Sequence, residues 1–275
     1  MKRAVLFLLL NLTICAIYAQ SQPVSQRLDA LLNDEILKTS EVGITVFDLT
    51  TGESLYRYQD EKLYRPASIE KVITSVTALA RLGADYTMDT HLRYTGKIEN
   101  DTLKGNLYLI GGFDPELMDE DLDSLVAAVE AQGIRYVTDT IAADVSMIDS
   151  VYWGPGWSWD DTPYSFQPYL SPLMLNRGCV DVSVSPAQKD SLPAVLCTPV
   201  SDYYRVCNRA VSRNPQAGKL EITRNWLSNG NVITVSGNVS RPYTGQVNIY
   251  TSKDFFFHTF IQRLKELSLI HISEP

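Results

Sequence analysis

The sequence predicts a mixed fold of the α/β (α+β) class, because helical and strand patterns alternate along its 275 residues. Apolar residues recur with helical spacing in three stretches, at 24–37, 68–82 and 254–267. Short runs that suit β-strands lie between these stretches. A chain of this length can bury one large core or two modest ones, so we expect a globular protein of helices and short strands.

Residues 1–19 predict a secretory signal peptide. Lys2 and Arg3 form a basic start, a mostly apolar run follows, and Ile17-Tyr18-Ala19 offers a cleavage site. A membrane-spanning helix is a weaker reading because the apolar run is short for a bilayer. A lipid anchor on Cys15 is also disfavoured, since the residue before a lipidated cysteine should be small.

Charge and cysteine content narrow the class of protein. The net charge is -8 and the pI about 4.9, which argues against a nucleic-acid surface. Removal of the signal peptide would leave three cysteines, of which Cys197 and Cys207 are the closest in sequence. A disulfide between these two and three reduced, buried thiols are equally supported. The cysteine spacing and the three histidines do not resemble a metal site.

The first part of the chain predicts a helix, a hairpin and a second helix. The amphipathic pattern at 24–37 is followed by a strand at 43–49, a turn, and a returning strand at 54–58. A helix is expected from Ser68 to Leu82, with Gly83 as its C-terminal cap. Several of its residues are β-branched, so we expect this helix to depend on burial more than on propensity.

Ser68 and Lys71 stand three residues apart at the start of that helix, which places both side chains on one face. A serine hydroxyl becomes a strong nucleophile when a neighbouring base takes its proton, and a lysine with a lowered pKa can be that base. The structural alternative is an ordinary helix start with Ser68 as a cap and Lys71 in solvent. Glu70 points off the shared face and is more consistent with a solvated residue than with a base.

Short strands dominate the chain beyond Gly83. We expect strands at 91–98, 106–110 and 141–145, with a helix at 121–132 between the last two. A second strand-rich block is predicted at 180–186, 220–223, 232–235 and 247–250, and an amphipathic helix closes the pattern at 254–267.

The flanks of Ser68 carry a family resemblance. The stretch 65–74, Arg-Pro-Ala-Ser-Ile-Glu-Lys-Val-Ile-Thr, resembles the nucleophile helix of the penicillin-recognising serine enzymes. It is most similar to the D-alanyl-D-alanine carboxypeptidase/endopeptidase family of class C low-molecular-mass penicillin-binding proteins, peptidase family S13. The resemblance continues in order from about residue 42 to 267, through the segments 46–53, 105–115, 156–161 and 173–177.

This resemblance implies a domain organisation. It assigns 20–90 to the N-terminal part of a transpeptidase-like domain and 91–178 to an inserted domain that returns at about 250–267. Residues 179–250 would be a second, nested insertion that is rich in strands. Residues 268–275 have no family counterpart that we recognise.

The resemblance also implies an activity. The intact protein would be a periplasmic serine D-Ala-D-Ala carboxypeptidase/endopeptidase acting on peptidoglycan stem peptides, with Ser68 as nucleophile and Lys71 as base. β-Lactams would acylate the same serine, and no cofactor, nucleic acid or membrane span is expected. Asp161 and Phe166 match positions that line a pocket for the charged end of the peptide's diamino acid. A turn cap beside a packed tryptophan is the structural alternative for Asp161.

Two motifs that complete the cleft in this family are not recognisable. The sequence contains no Lys-Thr-Gly, and its Ser-x-Asn triplets at 212–214 and 236–238 lie in the strand-rich block, where we expect structural roles. We therefore expect a truncated product or an assembly artefact at the end of the sequence. A catalytically inactive fragment or a peptidoglycan-binding module is the alternative function. A β-lactamase fits less well, because its second motif follows the Ser-x-x-Lys more closely.

Overall fold

The architecture comes from a computed structural model that describes residues 23–266 and the backbone of 271–272. The predicted signal peptide and most of the 268–275 tail lie outside the described residues. The described residues form two compact units, which are divided between Tyr86 and Thr87. The finer division into two insertions stays a prediction.

The first unit combines short helices with one hairpin. Its elements are helices α1 (Val24–Leu32) and α2 (Glu35–Lys38), strands β1 (Ile44–Asp48) and β2 (Glu53–Tyr58), and helix α3 (Glu70–Leu82). The single helix predicted at 24–37 is interrupted before α2. The carboxylate of Asp34 accepts a hydrogen bond from the N–H of Ile36 at 3.0 Å, which starts a new helix at that point.

Local hydrogen bonds fix the hairpin in this unit. Strands β1 and β2 pair antiparallel, and the carboxylate of Asp48 accepts the N–H groups of Thr50 and Thr51 at 2.8 and 3.3 Å in the turn. These backbone hydrogen bonds hold the pKa of Asp48 below its usual value. The Tyr56 hydroxyl donates to Asp29 at 2.5 Å and so ties β2 to α1.

The first half of the second unit contains two small sheets and a helix. Its elements are β3 (His91–Tyr94), β4 (Lys97–Glu99), β5 (Thr102–Lys104), β6 (Leu107–Ile110), α4 (Asp119–Ala131), β7 (Tyr136–Val137) and β8 (Ile141–Asp144). The single strand predicted at 91–98 is divided, because β3 joins β6 and β8 while β4 joins β5 and β7. The chain passes from one sheet to the other at Gly96, whose φ is 90°. A Cβ at this position would lie 1.9 Å from the carbonyl oxygen of Lys104.

The second half carries two three-stranded sheets and a long helix. Its elements are β9 (Cys179–Ser185), β10 (Ala194–Thr198), β11 (Arg205–Ser212), β12 (Glu221–Arg224), β13 (Val232–Val239), β14 (Tyr243–Asn248) and α5 (Ser252–Glu266). Strand β9 lies between β10 and β14, and β13 lies between β11 and β12. The backbone of β15 (His271–Ile272) pairs with β7.

Helices α4 and α5 supply much of the core of this unit. The buried apolar residues of the two helices are Leu122, Val126, Val129, Phe255, Phe256, Phe260 and Leu264. An ion-pair network joins the helices, because Arg263 contacts Asp119 at 2.9 Å and Asp123 at 2.7 Å. The amphipathic pattern that predicted α5 therefore reflects real burial.

The two Ser-x-Asn triplets have structural roles. Ser212 is fully buried and its hydroxyl accepts the N–H of Ala187 at 3.0 Å. Asn214 caps a short 3₁₀ turn and donates to Asp190 at 2.7 Å. The side-chain oxygen of Asn238 accepts the backbone N–H of Asn214 at 2.9 Å, so the triplets are linked to each other.

All three cysteines of the described residues are free thiols. Burial, reinforced by the charge of Asp181, raises the pKa of Cys179 to about 12, and burial raises that of Cys197 to about 11. Both therefore stay protonated near pH 8, whereas Cys207 is half-buried.

Iodoacetamide at pH 8 is expected to alkylate Cys207 of the native protein first, while Cys179 and Cys197 react only after unfolding. The reason is that the thiolate is the reactive form and burial suppresses it at both sites. Peptide mass spectrometry before and after denaturant checks the order. Rapid alkylation of Cys179 in the native protein would contradict this assignment.

Candidate active site

Ser68 lies in a 3₁₀ turn (Ala67–Ile69) that leads directly into α3. Pro66 has φ of −72° and suits this start, and the backbone N–H of Ile69 closes the turn on its carbonyl at 3.0 Å. One turn later, the Nζ of Lys71 donates to the Oγ of Ser68 at 2.9 Å. The predicted nucleophile and base are therefore in direct hydrogen-bond contact, the geometry that proton transfer between them requires.

Helix α3 ends where the sequence predicted but is not buried. Gly83 has φ of 86° and its N–H bonds the carbonyl of Leu79 at 3.0 Å, as a C-terminal glycine does. None of the residues of α3 is buried, and Val72, Ile73 and Val76 are each more than 60% exposed. The expectation that burial stabilises this helix is thus not met by the described residues.

Asp161 and Phe166, the predicted substrate-pocket residues, lie in the second unit. Asp161 ends a 3₁₀ turn (Trp159–Asp161), and its carbonyl accepts the N–H of Tyr164 at 3.1 Å. Within residues 23–266, its carboxylate has no hydrogen bond or ion pair, so it does not cap the turn. The ring of Phe166 stacks on that of Tyr164, with centroids 5.5 Å apart, and both rings are more than half exposed. A carboxylate without a partner can pair with a cation.

A buried clamp holds the Asp161–Phe166 segment in place. Arg224 is 2% exposed and its guanidinium donates to the hydroxyl of Thr162 at 2.8 Å and to Asn248 at 2.9 and 3.0 Å. Asn248 in turn donates to the carbonyl of Gln167 at 2.7 Å, and its N–H bonds the carbonyl of Pro163 at 2.8 Å. Burial lowers the pKa of Arg224 from its ordinary value.

Sequence reasoning missed this clamp. Arg224 and Asn248 each end a strand, where a polar residue is usually solvated. Thr162 is 62 residues from Arg224 in the chain, so no local pattern indicates the contact. Only the observation that β12 and β14 both approach the 159–167 segment would have revealed it.

Within the described residues, no helix is long and apolar enough to cross a membrane. In the same part of the chain, no group of His, Cys, Asp or Glu side chains is arranged to hold a metal ion.

The family model described as D-Ala-D-Ala carboxypeptidase 3 (S13) family matches residues 24–270. The chain belongs to the S13 family. A D-alanyl-D-alanine carboxypeptidase from Actinomadura sp. (strain R39) is 32% identical over 200 residues, which cover 70% of this chain and 37% of that protein. The D-alanyl-D-alanine carboxypeptidase DacB of Haemophilus influenzae is 28% identical over 169 residues, or 59% and 35% of the two chains.

Solved structures show the same fold. The crystal structure of penicillin binding protein 4 (dacB) from Haemophilus influenzae matches with a TM-score of 0.67 and 23% identity, over 84% of this chain and 51% of that one. A structure of the same protein complexed with a novel beta-lactam gives a TM-score of 0.59 and 20% identity, covering 86% of this chain and 52% of that one.

Two of the predictions are confirmed by these matches. The S13 family assignment stands, and the mixed helix and strand fold is that of a penicillin-binding protein. The S13 chain spans a little over a third of the curated relatives it matches and about half of the solved structures. The roles of Ser68, Lys71, Asp161 and Phe166 stay predictions.

Proposed function

We propose that this S13 protein is a serine D-Ala-D-Ala carboxypeptidase/endopeptidase that cleaves peptidoglycan stem peptides through an acyl-enzyme on Ser68. The contact of 2.9 Å between Lys71 Nζ and Ser68 Oγ carries the proposal. The names of the curated relatives, D-alanyl-D-alanine carboxypeptidases, support the identity of the bond that is cleaved. The beta-lactam complex of the Haemophilus protein supports β-lactams as ligands, and the proposal places their covalent attachment on Ser68.

The reaction uses Ser68 and Lys71 in two steps. The Oγ of Ser68 attacks the carbonyl of the penultimate D-Ala, its proton moves to the neutral amine of Lys71, and the terminal D-Ala leaves with a proton from that amine. Water then adds to the acyl-enzyme and frees the serine. Lys71 must enter with a neutral amine, and shielding from water favours that form. The side chains of Ser68 and Lys71 are both exposed in the described residues. Activation of Ser68 therefore requires that both side chains are shielded from water during the reaction.

Asp161 is proposed to pair with the side-chain ammonium of the diamino acid in the stem peptide. Asp161→Asn is expected to raise KM about tenfold for a peptide with a free diamino-acid amine, since one charge-assisted contact is lost. KM for the N-acetylated peptide should stay unchanged. Asp160→Asn is the matched control, because Asp160 is the exposed neighbour. Equal losses on both peptides would contradict pairing with the ammonium group.

Release of D-Ala tests the proposal directly. The protein as its cells produce it is incubated with a stem pentapeptide, and free D-Ala is measured with and without prior β-lactam treatment. The proposal expects release that β-lactam blocks. Release of D-Ala that β-lactam treatment does not reduce would refute the proposal that the peptidase reaction and the β-lactam use the same serine.

A second candidate function is a catalytically inactive peptidoglycan-binding module. The observation in its favour is that both Ser-x-Asn triplets have structural roles and that the sequence has no Lys-Thr-Gly. This module would bind peptidoglycan but neither release D-Ala nor react with β-lactams. The D-Ala assay therefore separates the two functions.

The proposed location is the periplasm, and the predicted signal peptide at 1–19 supports it. Fractionation of cells, with detection of a mature N-terminus at Gln20, tests this location. A protein that retains Met1 in the cytoplasm would refute it.

A further inference from the structure

A cleft lies in the strand-rich half of the second unit, between the sheet that contains β14 and the sheet that contains β12 and β13. Its volume is about 400 Å³, within the range of sites that bind small molecules. Its wall combines two tyrosines, two cations and several amide or hydroxyl groups. None of its lining residues is an aspartate or glutamate, although the chain as a whole is acidic.

Glycines shape this cleft. At Gly245, a Cβ would lie 3.1 Å from the ring of Tyr243 and 3.2 Å from the terminal methyl of Ile222, so the absent side chain leaves room for both. Gly237 has φ of 87°, and a Cβ there would lie 2.0 Å from the carbonyl oxygen of Lys219. The backbone before β12 can therefore press against β13, which brings Lys219 to the rim of the cleft.

The two cations of the cleft are available to a ligand. Lys219 and Arg241 both line the cleft and both are exposed. Across residues 23–266, neither side chain forms an ion pair or a hydrogen bond. Two unpaired cations with no carboxylate in the wall favour an anion, most directly a carboxylate that the Arg241 guanidinium can bind in bidentate fashion.

The aromatic wall connects the cleft to the predicted substrate segment. Tyr164 and Tyr243 line it and are 56% and 52% exposed, which gives a ligand two apolar faces. The ring of Tyr164 also stacks on the ring of Phe166. The backbone N–H of Tyr164 donates a hydrogen bond to the backbone carbonyl of Asp161. A ligand at Asp161 and Phe166 could thus continue along Tyr164 into the cleft.

We propose that this cleft binds the muramyl glycopeptide part of peptidoglycan. The carboxylates of the glycopeptide would contact Lys219 and Arg241, and the sugar would lie on the tyrosines. This inference rests on the proposed function, because peptidoglycan is the substrate in that proposal. The ligand class follows from the cleft itself, which offers cations for carboxylates and aromatic faces for a sugar ring in one space.

Calorimetric titration with a soluble disaccharide-tetrapeptide tests the site in the full chain carrying Ser68→Ala. The Ser68→Ala variant cannot form the acyl-enzyme, so the titration measures binding alone. A cleft that does not bind the glycopeptide and a serine that is not acylated are therefore separate results. The double variant Lys219→Gln/Arg241→Gln should weaken binding by at least about tenfold, or about 1.4 kcal/mol. The control Lys189→Gln/Arg209→Gln removes two exposed cations of the same strand-rich half that do not line the cleft and should bind normally.

Two further titrants fix the ligand class. A neutral chitin disaccharide should bind at least about tenfold more weakly than the glycopeptide, and inorganic phosphate should fail to displace it at equal concentration. Unchanged binding by the double variant, or equal losses in the control variant, would overturn the site. Full displacement by phosphate would overturn the glycopeptide in favour of a general anion site.

Discussion

Ser68→Ala is expected to abolish covalent labelling of the protein by fluorescent penicillin, with a loss of at least about 10⁴-fold in the acylation rate. The alanine has no oxygen to attack the β-lactam carbonyl, and Lys71 loses the group whose proton it would accept at 2.9 Å. No neighbouring hydroxyl can substitute, because an acyl-enzyme requires a nucleophile at one defined position.

The labelling experiment has a matched control on the same helix. Ser75 lies in α3, is exposed, and has no place in the proposed chemistry. Ser75→Ala should label like the unaltered protein in a gel assay at equal loading. Persistent labelling of the Ser68→Ala protein, or loss of labelling in the Ser75→Ala protein, would refute the assignment of the nucleophile.

Arg224→Met is expected to lower the free energy of unfolding of the second unit by about 3–5 kcal/mol. The change removes the Arg224 donor from several buried or part-buried acceptors, among them the hydroxyl of Thr162, the backbone carbonyl of Asn248 and the carbonyl of Gly230. The side-chain oxygen of Asn248 keeps only the hydroxyl of Thr162 as a donor. The guanidinium also lies 5.8 Å from the centroid of the Tyr169 ring, and this contact is lost as well.

Urea denaturation followed by tryptophan fluorescence measures this effect. All four tryptophans lie in the second unit, so the signal reports on that unit alone. Arg209→Met is the control, because Arg209 is an exposed arginine on β11 without an ion pair within residues 23–266. A shift for Arg224→Met no larger than that of the control would mean that the clamp contributes little.

Patterns with a strong local signal were predicted well. The helix from Ser68 to Leu82 appears as a 3₁₀ turn followed by α3, and Gly83 ends it. The spacing of Ser68 and Lys71 was enough to predict their contact, because residues three apart share a helix face. The two Ser-x-Asn triplets were recognised as structural because of their place in a strand-rich block.

Features that depend on distant residues were not predicted. Strands β10 and β11 were missed because Pro193 and Pro199 flank β10, and polar residues such as Asn208 and Arg209 interrupt the apolar pattern of β11. The buried Arg224 depends on residues far away in the chain, which no periodicity encodes. The division of 91–98 between two sheets depends on close contact of Gly96 with Lys104.

The exposed apolar residues of α3 are informative beside the family comparison. Ile73, Val76 and Leu79 are each at least 60% exposed, which is unusual for apolar residues that recur on a helix. The chain spans about half of the solved structures it matches. Exposed apolar surface of this kind is typical of a contact surface, and a contact at α3 would also shield Lys71 from water.

The position of the β-lactam adduct is the most direct test of the acyl-enzyme on Ser68. The protein as its cells produce it is treated with a penicillin, digested, and mapped by tandem mass spectrometry. The proposed function predicts one adduct, on the oxygen of Ser68 in the peptide that also contains Lys71. An adduct on any other residue, or no adduct under conditions that label an S13 relative, would contradict it.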